Sequence, residues 1–369
     1  MKLTILLLTF VLSFTFQKSY TQKPAENIII ITTDGLRWQE VFEGMDSSIA
    51  NNKKYNEGDS AYIFTRYGAS DGIERRKKLL PFLWNYVSVN GQVYGNKIQG
   101  EKVQVSNPYW FSYPGYSEIF CGFVDSLINS NSYKPNPNMN VLEFINQQPN
   151  YKNRVAAFGA WEAFDRILNE KRSGIPVFSA FDTVGGKNPN EKEQLINAML
   201  KDSYKPYDMG ECLDVFTHYA AMEYLNKNKP KVLYISYGET DEWAHSGQYK
   251  SYLEAAHQFD AWVKDIWNYL QNDPQYKNNT SLFITTDHGR GDRNDWTDHG
   301  SDVAGANDIW FAMLGPQIST LKEKKIEGTI YQKQFAQTIA SLLGLQFIAG
   351  HPVAEALPID FFRVVPKNK

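Results

Sequence analysis

Three short runs of apolar, mostly β-branched residues constrain this chain more than anything else in it: Asn27–Thr33 (NIIIITT), Lys231–Tyr237 (KVLYISY) and Ser281–Thr286 (SLFITT). None of them alternates apolar with polar, so each reads as a strand buried on both faces of a parallel sheet. Helical spacing appears between them. In Ser251–Asn272 the residues Tyr252, Ala256, Phe259, Val263, Ile266 and Leu270 recur at three- and four-residue steps, and Gln332–Leu343 does the same before Gly344. Strands alternating with helices predict an α/β fold, a doubly wound and mostly parallel central sheet with helices on both faces. The polar segments Asp46–Lys78 and Asn129–Asn140 read as long loops of the kind that cap or border a site. No internal repeat or dividing linker interrupts the pattern, so residues 22–369 are read as one domain with loop insertions.

Residues 1–21 are set apart from that domain. Lys2, an apolar stretch from Leu3 to Phe16 and short polar residues around Ser19–Gln22 have the layout of a secretory signal peptide. The stretch falls short of the roughly 20 apolar residues that span a bilayer, and no cysteine stands near the cleavage zone to carry a lipid. The expectation is an exported protein, periplasmic or secreted, without a stable membrane anchor; an uncleaved anchor is the competing reading. A net charge of -3 leaves no electrostatic footprint for duplex nucleic acid. Cys121 and Cys212 could pair in an oxidising compartment or be buried as separate thiols.

Each of the three strands runs into an aspartate: TTDG at Asp34, YGETDEWAH at Asp241 and TTDHG at Asp287. Ligands of open α/β sheets bind beyond the carboxyl ends of the strands, so three carboxylates are delivered to one crevice. Of the six histidines, His245 lies four residues past Asp241, His288 adjoins Asp287 and His299 follows eleven residues later. Imidazole and carboxylate are the usual zinc ligands, and a helical Asp-x-x-x-His step puts both on one face, which points to a two-metal centre. Any one of these residues alone is better explained as a cap or a surface group; their shared position at strand ends is the argument. His218, His257 and His351 stand apart and read as structural or surface residues. A nucleophile is sought in Asn107–Gly122 (NPYWFSYPGYSEIFCG), where Pro114 and Gly115 mark a tight turn before a helix. Ser112 is the better-placed hydroxyl and Ser117 the competitor.

These residues together resemble the alkaline phosphatase superfamily, most of all its type I phosphodiesterase/nucleotide pyrophosphatase branch. SYPGYSEIFCG is similar to that branch's nucleophile stretch, with Ser112 where threonine is usual; DGLRW is similar to its Asp-Gly-Phe-Arg. Asp241 and His245 match its Asp-x-x-x-His, Asp287–Gly289 its Asp-His-Gly, His299 its last metal histidine, and FAQTIASLLGL with AGHPV its closing helix and loop. The ordered match runs from about residue 27 to 357. It implies an alkaline-phosphatase-like core, with one metal held by Asp241, His245 and His299 and a second by Asp34, Asp287 and His288 beside Ser112. The implied ions are two Zn2+, with Mn2+ the alternative at an oxygen-rich site. The implied chemistry is attack of Ser112 on phosphorus, a phosphoseryl intermediate and its hydrolysis, with the backbone N–H of Tyr113 and the amide of Asn129 or Asn131 near a phosphoryl oxygen.

The sequence departs from the superfamily in three places. Ser236 stands where alkaline phosphatases carry a glutamate for a third, magnesium site, which leaves that site without its ligand. The phosphate-clamping arginine has no clear counterpart; Arg37, Arg166, Lys171, Arg172 and Arg290 are equal candidates. The sulfatase Cys-x-Pro-x-Arg signature is absent around Ser112. A monoester needs a further positive group, whereas a diester needs a surface, which Tyr109, Trp110, Phe111, Tyr113 and Tyr116 could offer. The reading therefore leans to a phosphodiesterase acting on a small-molecule phosphate ester. The alternatives are an alkaline phosphomonoesterase, a phosphate-transferring mutase, or an exported metal- or glycan-binding protein without turnover.

Overall fold

The computed structural model describes residues 24–207, 210–323 and 328–358. The proposed signal peptide, residues 1–21, lies outside them. Among the described residues no helix is long and apolar enough to cross a membrane.

The strands in chain order are β1 Asn27–Thr33, β2 Gln92–Tyr94, β3 Lys102–Gln104, β4 Val155–Gly159, β5 Val177–Ser179, β6 Val232–Tyr237, β7 Thr280–Thr285, β8 Phe311–Leu314 and β9 Thr329–Tyr331. Seven of them form one sheet in the order β2-β8-β7-β1-β6-β4-β5; β3 and β9 pair separately. The chain has the expected α/β fold. Neighbours from β7 through β5 are parallel, and the antiparallel pairs are β7–β8 and β2–β8. The three apolar runs are the adjacent strands β7-β1-β6 at the centre, with Ile30 opposite Tyr234 on one side and Phe283 on the other.

Burial on both faces explains the unbroken apolar runs. Ile29 and Ile31 point into one core, with Leu253, Phe259 and Ile266 of the long helix Tyr249–Asn272. Ile28 and Ile30 point into the other, with Phe120, Phe335 and Ile339. All four isoleucines are fully buried, and each contributes about 1.5–3 kcal/mol relative to an exposed side chain. The strand register is thereby fixed, since a one-residue slip would exchange the two faces.

Two expectations about local structure need correction. Asp46–Lys78 is not a loop: it holds the helices Ser47–Ala50 and Ser60–Tyr67 and all but the last residue of Gly72–Leu79. The last is started by Asp71, whose side chain accepts from the N–H of Glu74, and only Leu79 of its eight residues is buried, so it shows no apolar stripe. The turn assigned to Pro114 and Gly115 is instead the first turn of a helix, Ser112–Cys121, which begins at Ser112 itself. Pro114 is tolerated there because first-turn N–H groups have no helical partner. Asn129–Asn140 is irregular, as expected. Cys121 and Cys212 are free, separately buried thiols.

Candidate metal centre

β1, β6 and β7 end side by side, and the residues that follow them converge. Asp34 and Asp287 follow β1 and β7, while Asp241 and His245 lie on the short helix Glu239–His245 that follows β6. The N-terminus of the Ser112–Cys121 helix meets them from the side. Gly115 allows this approach: a Cβ there would stand 2.5 Å from the carbonyl oxygen of Asp287.

His288 Nε2 is the focus of one ligand set. Asp34 Oδ1 lies 3.2 Å from it, Asp287 Oδ2 3.4 Å and Ser112 Oγ 3.4 Å. Both carboxylate oxygens are buried and accept no hydrogen bond, a costly state unless something cationic completes them. The other oxygens of the same carboxylates are held: the Tyr116 hydroxyl donates to Asp34 Oδ2 at 3.0 Å, and the Gly35 N–H to Asp287 Oδ1 at 3.2 Å. In the second group His245 Nε2 is 3.1 Å from Asp241 Oδ2 and 3.0 Å from His299 Nε2. The tight three-atom sets among the described residues are Asp34, Asp287 and His288, and Asp241, His288 and His299. His288 thus joins both, with His245 closing on Asp241 and His299 from outside.

The tautomers follow from the outer hydrogen bonds. His288 Nδ1 is 2.9 Å from the Gly289 carbonyl and His299 Nδ1 3.3 Å from that of Trp110. A carbonyl only accepts, so each Nδ1 carries the proton and each Nε2 presents its lone pair to the centre. His245 differs: its Nδ1 faces Arg290 Nη2 at 3.2 Å, and a guanidinium only donates. In this arrangement the His245 lone pair is on Nδ1.

Charge is crowded here. Burial pushes Asp34 and Asp287 well above the usual carboxylate range, and each is raised further by a neighbouring aspartate. Burial acts on Asp241 in the same sense, but Arg290, His245 and His299 outweigh it and hold Asp241 well below that range. Burial, with His288 beside it, pushes His299 down to about 2. Asp241 raises His245 above the ordinary imidazole value, against its burial. Buried carboxylates with orphaned oxygens, beside His288 and His299 already in the ligating tautomer, are a donor set that fits divalent metal ions.

The other residues expected near the site sort clearly. Ser117 points away: its Oγ accepts from Asn136 and contacts Cys121. Tyr113 N–H donates to Asn131 Oδ1 at 3.0 Å, so Asn131 is tied to the start of the nucleophile helix, whereas Asn129 is exposed on the same loop. Tyr113 and Tyr116 are fully buried and offer no substrate surface; Tyr109, Trp110 and Phe111 remain partly exposed. The candidate arginines are engaged within the protein. Arg37 pairs with Glu40, Arg172 with Glu143 and Arg166 with Glu162, and Arg290 holds Asp241 and the Trp296 and Thr297 carbonyls. Lys171 is exposed on a short helix, Glu170–Ser173. His218 is buried against Trp262 and Tyr237, His257 binds the Leu79 carbonyl and His351 the Met139 carbonyl, all outside the cluster. Sequence reasoning missed Tyr116 as the residue that orients Asp34. It also missed Thr240, whose hydroxyl donates to the Asp34 carbonyl.

This geometry agrees with the comparisons. A family model described as Metalloenzyme superfamily matches residues 203–346, the part that supplies Asp241, His245, Asp287, His288 and His299. A probable 2,3-bisphosphoglycerate-independent phosphoglycerate mutase of Leptospira interrogans is 24% identical over 262 residues, 65% of this chain and 45% of that protein. The chain thus spans less than half the length of the curated relatives it matches. Alkaline phosphatase PafA superposes with a TM-score of 0.58 at 12% identity, over 91% of this chain and 99% of that one. A putative sulfatase from Bacteroides thetaiotaomicron gives 0.58 at 14% identity, over 90% and 74%. The chain has the fold of the alkaline phosphatase superfamily. Phosphatase and sulfatase both share it, so the likeness gives the fold and no activity.

Proposed function

We propose that the protein is an exported, two-metal phosphoric ester hydrolase with Ser112 as nucleophile, and that it prefers diesters. The observation that carries this is the convergence of Ser112 Oγ, Asp34 Oδ1 and Asp287 Oδ2 on His288 Nε2, within 3.2–3.4 Å, at the carboxyl ends of adjacent strands. Asp34, Asp287 and His288 would hold one ion and Asp241, His299 and His245 the other, zinc being the best fit to mixed imidazole and carboxylate. When bound, such ions supply Lewis-acid polarisation of phosphoryl oxygens and favour the ionised serine hydroxyl.

The residues of the chain do the rest. The first turn of the Ser112–Cys121 helix fixes the Ser112 hydroxyl in a buried position beside His288. As the Ser112 oxygen–phosphorus bond forms, the ester oxygen–phosphorus bond breaks and the alcohol departs with a proton. Water then cleaves the phosphoserine and restores the hydroxyl. Tyr116 and Gly35 keep Asp34 and Asp287 from rotating.

The diester preference is supported by the arginines: Arg37, Arg166, Arg172 and Arg290 are each paired with a carboxylate of the protein, which leaves none of them as a second clamp for a dianion. The partly exposed Tyr109, Trp110 and Phe111 provide a surface for a second substituent. The test is a side-by-side assay of p-nitrophenyl phosphate and bis-p-nitrophenyl phosphate with zinc-reconstituted protein. The bis-ester should show the higher kcat/KM; a clear preference for the monoester would mean that one of the basic residues leaves its partner to reach phosphate.

A further inference from the structure

The three histidines of the metal centre are not held in the same way. His288 closely follows β7 and His245 ends a helix, whereas His299 lies in an irregular stretch between the 3₁₀ turn Arg293–Asp295 and β8. The partner of its Nδ1, the Trp110 carbonyl, comes from the distant loop that leads into Ser112. An unusual backbone aims that carbonyl. Trp110 has a φ of 54°, in the left-handed region that a residue with a Cβ seldom occupies. Asn107 holds it there, its Oδ1 accepting from the N–H groups of Tyr109 at 3.0 Å and Trp110 at 3.2 Å. Asn107 is fixed in turn by the buried carboxylate of Glu118, which accepts from its N–H at 2.8 Å and its Nδ2 at 3.0 Å. The same carboxylate accepts from the N–H groups of Ser106 at 2.9 Å and Lys333 at 3.0 Å.

Glu118 stands on the helix that begins at Ser112, so loop and helix close into one frame running from Glu118 through Asn107 and Trp110 back to Ser112. The Asn107 turn is not a cap for that helix. Its N-cap, Phe111, is extended and receives no side-chain hydrogen bond, and Asn107 Oδ1 is engaged with N–H groups that precede the helix. What the turn fixes is the direction of the Trp110 carbonyl. Left-handed backbone at a bulky residue persists only where its surroundings over-determine it, and such positions gather at functional sites. We infer that Asn107 is a positioning residue for His299. Through the left-handed Trp110 it directs a carbonyl at Nδ1, which keeps Nε2 turned to the metal centre, and it sets that ring relative to Ser112 on the same frame. This deepens the two-metal reading and rests on it.

The test is calorimetric zinc binding with Asn107→Ala placed in two parents. Asp34→Asn keeps the ion of Asp241, His245 and His299, and Asp241→Asn keeps the ion of Asp34, Asp287 and His288. In the first parent Asn107→Ala should weaken zinc binding about tenfold to a hundredfold, the usual loss when a ligating histidine is deprived of its outer hydrogen-bond partner. In the second parent the affinity should stay essentially as it was. Asn107→Ser keeps a side-chain oxygen that closes the same turn more weakly, so it should recover part of the loss, and it carries the comparison should the alanine variant fail to fold. A general loosening of the fold would weaken both parents alike. Equal losses in the two, or no loss in the first, overturn the role of Asn107 and leave the two-metal centre standing. Parents that bind no zinc with Asn107 in place sink the two-metal reading, and this inference with it.

Discussion

Ser112 and Ser117 sit one and a half turns apart on one helix, yet only the first faces His288. Ser112→Ala is therefore expected to lower turnover by about three orders of magnitude or more with metal content unchanged, and Ser117→Ala to matter far less. Steady-state kinetics of both variants check this, and a reversed order would move the nucleophile. His245 gives a pH prediction. In the metal-free chain Asp241 raises it above the ordinary imidazole value, so a metal binding there must displace a proton that is held more tightly as pH falls. Zinc affinity should be full above that raised value and weaken below it, by up to about tenfold per pH unit. Calorimetric titrations at pH 6 and pH 8 should differ in wild type, and the difference should narrow in His245→Gln, where the raised Asp34 and Asp287 still give up protons to the metal; equal wild-type affinities would contradict the role. At this scale the sequence pointed to the residues that converge and was silent about their partners. Asp34, Asp241 and Asp287 were legible because each ends an apolar run. Tyr116, Thr240 and Arg290 act through contacts between distant segments, which leave no local pattern.

The strand-end motif depends on one close crossing between elements, where Gly115 meets the Asp287 carbonyl. Gly115→Ala needs a shift of the helix that carries Ser112, or of the β7 end that carries Asp287. It should cost about 1–3 kcal/mol of stability and reduce kcat as well. Denaturant unfolding and kinetics on the same preparation test this, and a variant unchanged in both would show that the crossing has slack. The legibility of elements followed their burial. β1 was readable to the residue because both faces are packed, and β6 and β7 to within one residue. β4, with the small residues of Val155–Gly159, and the three-residue β2 and β5 carry too little pattern to stand out. The helices within Asp46–Lys78 are short and mostly solvated; Gly72–Leu79 is held by its cap and by the Arg76–Glu323 pair rather than by an apolar face.

At the scale of the whole molecule, a parallel sheet brings carboxylates from residues 34, 241 and 287 to one edge, and two buried cores hold the strands that carry them. The fold class was legible because β7-β1-β6 form its centre; the antiparallel edge of β8 and β2 was not, since strand direction is set by long-range pairing. On the proposed reading, the carboxyl ends of β7, β1 and β6 hold two metal ions, with His288 shared between the two ligand sets. Metal content per chain, measured on zinc-reconstituted wild type, Asp34→Asn and Asp241→Asn, tests it most directly. About two, about one and about one ion are expected, with ester hydrolysis lost in both variants and chelation abolishing the wild-type activity until zinc is returned. A wild-type protein that binds no metal and hydrolyses esters equally well in chelator would contradict it.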